Sequence, residues 1–261
     1  MTPDYNHQRR YDLDWLRVIA FGLLIFYHIG MFYVTWGWHV KSVHAGPLVQ
    51  PLMSLLNPWR LPLLFLISGV AIRFALDKAH LGRFTAQRTG RLLLPLVFGM
   101  FVIVAPQSWL QLVESGEIDK TFWGFYPGYV LDLYSIMTPT WNHLWYVAYI
   151  LVYTWMIIPV CRLVSAFMIR RGGQWTVKIF GGRWGVYWVL ILPALPHLAI
   201  RIWLDPHFPT THDMVNDWAN QAHSFAFFIT GYIFAKDGAF WDAIARVLKP
   251  ALVIALALGV S

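Results

Sequence analysis

Arg17 and His28 stand eleven residues apart inside one apolar run, Leu13–Val34. At helical pitch that interval advances the chain by roughly 16 Å and closes about three turns, so both groups fall on one stripe. A guanidinium is a permanent cation, while a neutral imidazole takes up and hands on protons. Together they mark a candidate functional site. Ionisable groups at membrane depth cost several kcal/mol and face a bundle interior or a wet cavity. Each also has a plain structural reading: Arg17 could snorkel to the headgroups, and a hydrogen-bonded His28 could tie helices together. The shared stripe favours chemistry.

Two further sets could serve the same reaction. Arg88 and Arg91, in QRTGRLLLP, are one helical turn apart and expected at the start of a helix running through Leu92–Leu112. Guanidinium forks beside a helix amino terminus suit a phosphate or another polyanion. Ordinary positive charge on the inner face explains them as well. His143, Trp145 and Tyr146 sit at the outer end of the run Asn142–Val160, on the side towards which His28 points. They could stack on a sugar and bond its hydroxyls, or form an interfacial aromatic belt. Metal chemistry finds little support: Cys161 is the single cysteine, and His39 and His44 alone make a weak ligand set. Ser68, in FLISGVA, lacks the G-x-S-x-G elbow of a nucleophile, so Ser68 and Gly69 read as a close-packing surface. Arg170–Gly185 reads as a glycine-punctuated basic loop without a nucleotide fingerprint.

The elements that must hold these groups are membrane helices. Hydrophobic residues make up 58% of the chain and charged residues only 13%, about half the charged share of a soluble domain. The expected fold is an all-α, polytopic transmembrane bundle, one domain over residues 1–261, with about seven complete spans and an unfinished eighth beginning near Pro250. The run from Pro250 reaches Ser261 after twelve residues, so a missing carboxy-terminal part is expected. Fifteen cations, among them Arg73, Arg83, Arg162, Arg170 and Lys236, fall on one set of alternate polar segments, against Lys41 and Lys120 on the other. That bias is the positive-inside pattern; it predicts a cytoplasmic amino terminus. It also accounts for the net charge of +7 without nucleic acid. Asp12 and Asp14 suit the amino end of the first helix, and Asp14 could pair with Arg17. Pro58 and Pro62, in NPWRLP, predict a kink or a re-entrant turn. A short helix is expected at Gly128–Met137.

Taken in combination, the arginine and histidine of the first helix, FLISGVA, RxxR at Arg88–Arg91 and HLWY at His143–Tyr146 resemble the acyltransferase-3 family of membrane O-acyltransferases. The similarity runs from about Tyr11 to Tyr149 and is nearest to its glucan-biosynthesis branch. That resemblance implies ten or more helices in the whole protein and an acyl-CoA donor, succinyl-CoA or acetyl-CoA, at the inner face. The acceptor it implies is a hydroxyl of an envelope or periplasmic glucan or other carbohydrate, at a bacterial inner membrane. On this reading His28 is general base or acyl carrier, Arg17 assists, Arg88 and Arg91 hold the donor's phosphates, and His143, Trp145 and Tyr146 meet the acceptor. A secondary transporter, or a non-catalytic membrane subunit of an envelope-glycan system, would share the deep charges and broken helices.

Overall fold

The computed structural model describes residues 11–38, 41–77, 80–131 and 139–259, and these form helices with no strand among them. The first helix, α1 (Tyr11–Met31), begins on Asp12 and Asp14, whose carboxylates complement its positive end. At the opposite end Lys41 reaches back to donate to the carbonyls of Met31 (2.7 Å) and Val34 (2.9 Å), which the helix itself leaves without partners.

The chain then turns into α2 (Gln50–Leu76), which continues unbroken through Pro58 and Pro62. The expected re-entrant turn is therefore absent. α2 runs antiparallel to α1, with Gly30 against Met53, Tyr27 bonded to Asn57 and Leu13 clustered with Val70. Its other face meets α10 (Trp218–Phe234) at a crossing where only hydrogen fits: a Cβ on Gly69 would lie 1.9 Å from the Phe228 carbonyl oxygen, and one on Gly231 would lie 2.0 Å from that of Leu66. Small residues that admit backbone contact are how apolar helices associate without a hydrophobic driving force. An ion-paired trio, Arg73 and Lys236 on Asp77, ties the far ends of these two helices together.

Leu81–Glu114 forms a second long helical run: α3 (Leu81–Phe98), a π-helical stretch at Gly99–Val104 and α4 (Ala105–Glu114). Wider π turns release carbonyls, and the hydroxyls of Tyr129 and Tyr126, on α5 (Phe122–Val130), donate to those of Met100 (3.0 Å) and Phe101 (3.1 Å). The short helix thus starts before the expected Gly128–Met137, part of which lies outside the described residues.

A Cβ on Gly99 would fall 2.2 Å from Leu144, so the π stretch closely seats the start of α6 (Trp145–Ile157). After Pro159 the chain bends by 68° into α7 (Cys161–Phe167) and α8 (Gly173–Phe180), joined by a π turn at Met168–Gly172. Most of the expected basic loop is therefore helix. Exposed Leu163, Ile169, Trp175 and Val177 alternate there with Arg162, Arg170, Arg171 and Lys178, the composition of a helix lying in a membrane interface.

α9 (Gly185–Trp203) stays helical through Pro193 and Pro196. α11 (Gly238–Gly259) packs on α8 and α9 around Phe180 and Phe240, and Arg246 clamps their turn through the Phe180 carbonyl at 2.6 Å.

Among the described residues, four helical runs are long and apolar enough to cross a membrane, five if the bent α6–α8 run is one span. That is fewer than the seven and a fraction expected. α10 is only 17 residues and carries Asn220, Gln221, His223 and Ser224 in its first turns, while α11 is only partly apolar.

Candidate active site

α1, α2, α3 and α6 bring the predicted site residues into two clusters, one at each end of the Arg17–His28 stripe. At the His28 end, the imidazole's Nδ1 lies 2.7 Å from the Leu24 carbonyl oxygen. A carbonyl only accepts, so Nδ1 carries the hydrogen and Nε2 of the neutral ring is a bare lone pair. The helix's own backbone thus selects the tautomer of a base.

Around that ring stand His143, with centroids 5.4 Å apart and nearly edge-on, and Trp38, at 5.7 Å. Trp38 and His143 stack on each other at 4.6 Å. Asn142 holds His143 in place from a left-handed backbone (φ 42°), a conformation that costs energy and that asparagine tolerates better than most residues.

The same cluster contains a group that sequence reasoning passed over. Arg60, on α2, is only 6% exposed, and its guanidinium lies 3.3 Å from the centroid of the Tyr27 ring. Its Nη1 donates to Asn57 Oδ1 at 2.8 Å, and Tyr27 Oη donates to that oxygen at 3.0 Å. Its charge is close enough to act on His28. A helical side chain leans towards its own amino terminus, and on antiparallel α2 that direction carries the guanidinium up towards Tyr27. The signal in the sequence was an arginine within a long apolar run; the flanking prolines disguised it as part of a break.

At the Arg17 end, the charges of Arg17 and Arg91 and the Tyr146 hydroxyl all act on Arg88. Arg17 lies 5.9 Å from the Phe21 ring, which meets the edge of Tyr146 at 6.4 Å. Arg17 is exposed along the helix flank and Arg88 is half-buried, its Nε without an acceptor among the described residues. These arginines do not sit at a helix amino terminus, because α3 starts at Leu81 and Arg88 is two turns inside it. Clustered guanidiniums attract anions through their own charge, without help from a helix dipole.

His143, Trp145 and Tyr146 do not share one site. Trp145 is turned about 100° from Tyr146 and points to another face, while His143 and Tyr146, three residues apart, lie on neighbouring faces about one turn apart along the axis. His143 joins His28, and Tyr146 turns inward, its hydroxyl 2.8 Å from Ser68 Oγ and 3.2 Å from the Leu64 carbonyl. Trp145 lines a separate cavity of about 170 Å³ with Asn57, His212, Asn220, His223 and Ser224. Asn57 belongs to both regions and links the cavity to Arg60.

One wall of the cavity is the segment before α10, pinned by the fully buried carboxylate of Asp217. It accepts from Tyr149 Oη (2.5 Å), Asn220 Nδ2 (2.6 Å) and the Thr211 backbone (3.0 Å). His212, again in a left-handed backbone (φ 60°), lies over Trp145 with ring centroids 4.5 Å apart. Burial holds the His212 imidazole below its ordinary range, with Asp217 opposing that shift only in part. Behind it, His197 and His223 meet Nδ1 to Nδ1 at 2.9 Å, and His223 Nε2 lies 3.2 Å from Asp205 Oδ1.

No group of three or more histidine, cysteine or acidic side chains among the described residues could hold a metal. His39 lies outside them. Cys161 is buried at the start of α7, its thiol directed at the Ile158 carbonyl, as a packing residue would be.

The chain is 25% identical over 161 residues to glucans biosynthesis protein C of Escherichia coli K12, and equally so to that of Escherichia coli O1:K1. The match covers 60% of this chain and 40% of each relative, so the chain spans well under two thirds of the relatives' length. No solved structure matches. A model of the acyltransferase domain family, acyltransferase-3, matches residues 10–261. That match takes in nearly every residue: the chain belongs to the acyltransferase-3 family of membrane acyltransferases.

Proposed function

We propose that the protein moves an acyl group from a coenzyme A thioester at the Arg17 end of the bundle to a carbohydrate hydroxyl at the His28 end. The observation that carries this reading is the fixed tautomer of His28: its Nδ1 is committed to Leu24, and its free Nε2 sits among Trp38, His143 and Arg60. In the reaction, Nε2 takes the proton of the acceptor hydroxyl as its oxygen attacks the thioester carbonyl carbon. The carbon–sulfur bond then breaks, and the thiolate leaving group receives that proton. Ester and free thiol are the products, with no net change in charge.

Arg17, Arg88 and Arg91 gather positive charge where the donor's phosphates would rest. The cations crowded at that end favour a cytoplasmic side for it by the positive-inside rule. About 16 Å of helix separates Arg17 from His28, a distance for the donor's long pantetheine arm to cross. Trp145, with Asn57, Asn220 and His212, offers an aromatic plate and polar groups for a sugar ring. A glucan is the acceptor that the distant relatives' name favours, and succinyl and acetyl are the acyl groups carried over from the sequence resemblance. The setting is then the inner membrane.

Mass spectrometry of envelope carbohydrates from cells with and without the gene tests this reading. Acyl esters that vanish on deletion and return with the wild-type gene support it. Unchanged esters, together with net transport of a solute by the purified protein, would replace it with the transporter reading.

A further inference from the structure

Arg60 is a buried cation whose neighbours do not neutralise it. It is 6% exposed, and among the described residues no carboxylate forms an ion pair with it. Its partners are an amide oxygen, Asn57 Oδ1, and the face of a phenol ring, Tyr27. Its Nε is buried and finds no acceptor among the described residues. A guanidinium keeps its charge under all ordinary conditions, so this arrangement cannot relax by losing a proton. Burying such a charge without a counter-charge is costly, and leaving a buried donor without an acceptor adds to that cost.

Structural work alone does not account for the residue. Methionine or leucine would fill the same space against Tyr27 without the penalty. A site that keeps an unpaired cation beside its base is built to receive an anion.

Two anions could arrive there under the function proposed above, on which this inference rests. One is the oxyanion formed for an instant on the thioester carbonyl. The other is a carboxylate that belongs to the acyl group and is present from binding to release. The planar guanidinium fork, with an unused Nε beside its Nη atoms, matches the two oxygens of a carboxylate better than one carbonyl oxygen. A lasting partner also offsets the burial penalty throughout the donor complex, which a transient one does not.

We propose that Arg60 binds the terminal carboxylate of a dicarboxylic acyl group, and so selects donors that carry a free acid at the end of the chain over neutral acyl donors of the same length.

The test compares succinyl-CoA with butyryl-CoA as donors in native membranes containing the full protein, for wild type, Arg60→Gln and Arg60→Lys. Wild type should use succinyl-CoA with a KM lower by on the order of a hundredfold, the scale of a lost buried charge contact. Arg60→Gln should abolish that preference by raising the succinyl-CoA KM far more than the butyryl-CoA KM, whatever change in kcat the two donors share. Arg60→Lys, which keeps the charge without the fork, should restore part of it. Should Arg60→Gln fail to accumulate, the wild-type ratio and selective competition by free succinate over butyrate still decide the matter. Equal use of both donors by wild type, or an equal loss on both in Arg60→Gln, overturns the inference and leaves acyl transfer standing. Transfer from neither donor by wild type removes the function proposed above, and this inference with it.

Discussion

Replacing Gly69 with alanine tests whether the α2–α10 crossing sets the geometry of the site. The new methyl group would stand 1.9 Å from the Phe228 carbonyl oxygen, and no real Cβ approaches closer than 3.0 Å. The obstacle is helix backbone, which cannot swing aside as a side chain would, so the two helices must part or tilt. Overpacking of that kind costs about 1–3 kcal/mol. For a chain of this size, melting temperature falls by about 2–4 °C per kcal/mol. Gly231→Ala should behave alike, since its Cβ would lie 2.0 Å from the Leu66 carbonyl oxygen across the same crossing. One separation of the helices makes room for both methyls, so the double variant should lose clearly less than the sum of the single losses.

Gly22→Ala is the control, because a Cβ there meets nothing within 4 Å, and it should leave the melting temperature unchanged or raised. Fluorescence-detected size exclusion after heating, with the protein in nanodiscs, reads all four variants. Gly69→Ala melting with wild type, or strictly additive losses in the double variant, would refute the packing argument and with it the fixed placement of Arg60 and Ser68 on α2.

Other expectations follow from the same contacts. Tyr149→Phe removes the hydroxyl that donates to the buried Asp217 carboxylate and should cost about 1–3 kcal/mol, with hydrogen exchange rising first in residues 205–217. His212 is held below its ordinary pKa by burial, so the unfolded chain binds the proton more readily than the folded one. Its contribution to stability is therefore complete above about pH 6.5 and fades as the pH falls below that value. His212→Gln should flatten this limb of a melting-temperature profile between pH 5 and about pH 7, whereas an unchanged profile would assign the acid sensitivity elsewhere. Arg88→Gln should raise the KM for the coenzyme A donor by about tenfold or more while sparing kcat, as loss of ground-state binding does. A fall in kcat alone would move Arg88 out of the donor site.

How much of this was legible beforehand divides by physical cause. The Arg17–His28 stripe was, because helical periodicity is a local property that packing rarely overrides. Ser68 and Gly69 were also legible as a packing surface, and Gly69 lies in the tightest helix contact described. Arg60 was hidden by Pro58 and Pro62, which argue for a break; the helix passes through both because each proline costs it one donor and one clash, and neighbouring helices hold the chain in place. The true start of α3 was missed because the cations before Leu92 read as a loop, although arginine and leucine are good helix formers in any solvent. Treating His143, Trp145 and Tyr146 as one cluster neglected the turn of about 100° between Trp145 and Tyr146, which could have been worked out from the numbering; that His143 and Tyr146 meet different partners is set by tertiary contacts. The cavity between α2, α6 and α10 was beyond local reading, since Asn57, Trp145, His212 and Asn220 come together only through tertiary contacts.

The central claim is that His28 Nε2 takes the proton of the acceptor hydroxyl. Its most direct measurement is single-turnover transfer of a radiolabelled acyl group from its coenzyme A thioester to carbohydrate in inverted membrane vesicles, for wild type and His28→Ala inserted at equal levels. The account predicts that His28→Ala binds the donor as wild type does and transfers at least a hundredfold more slowly, the loss typical of a missing general base. Transfer at the wild-type rate by His28→Ala would contradict it.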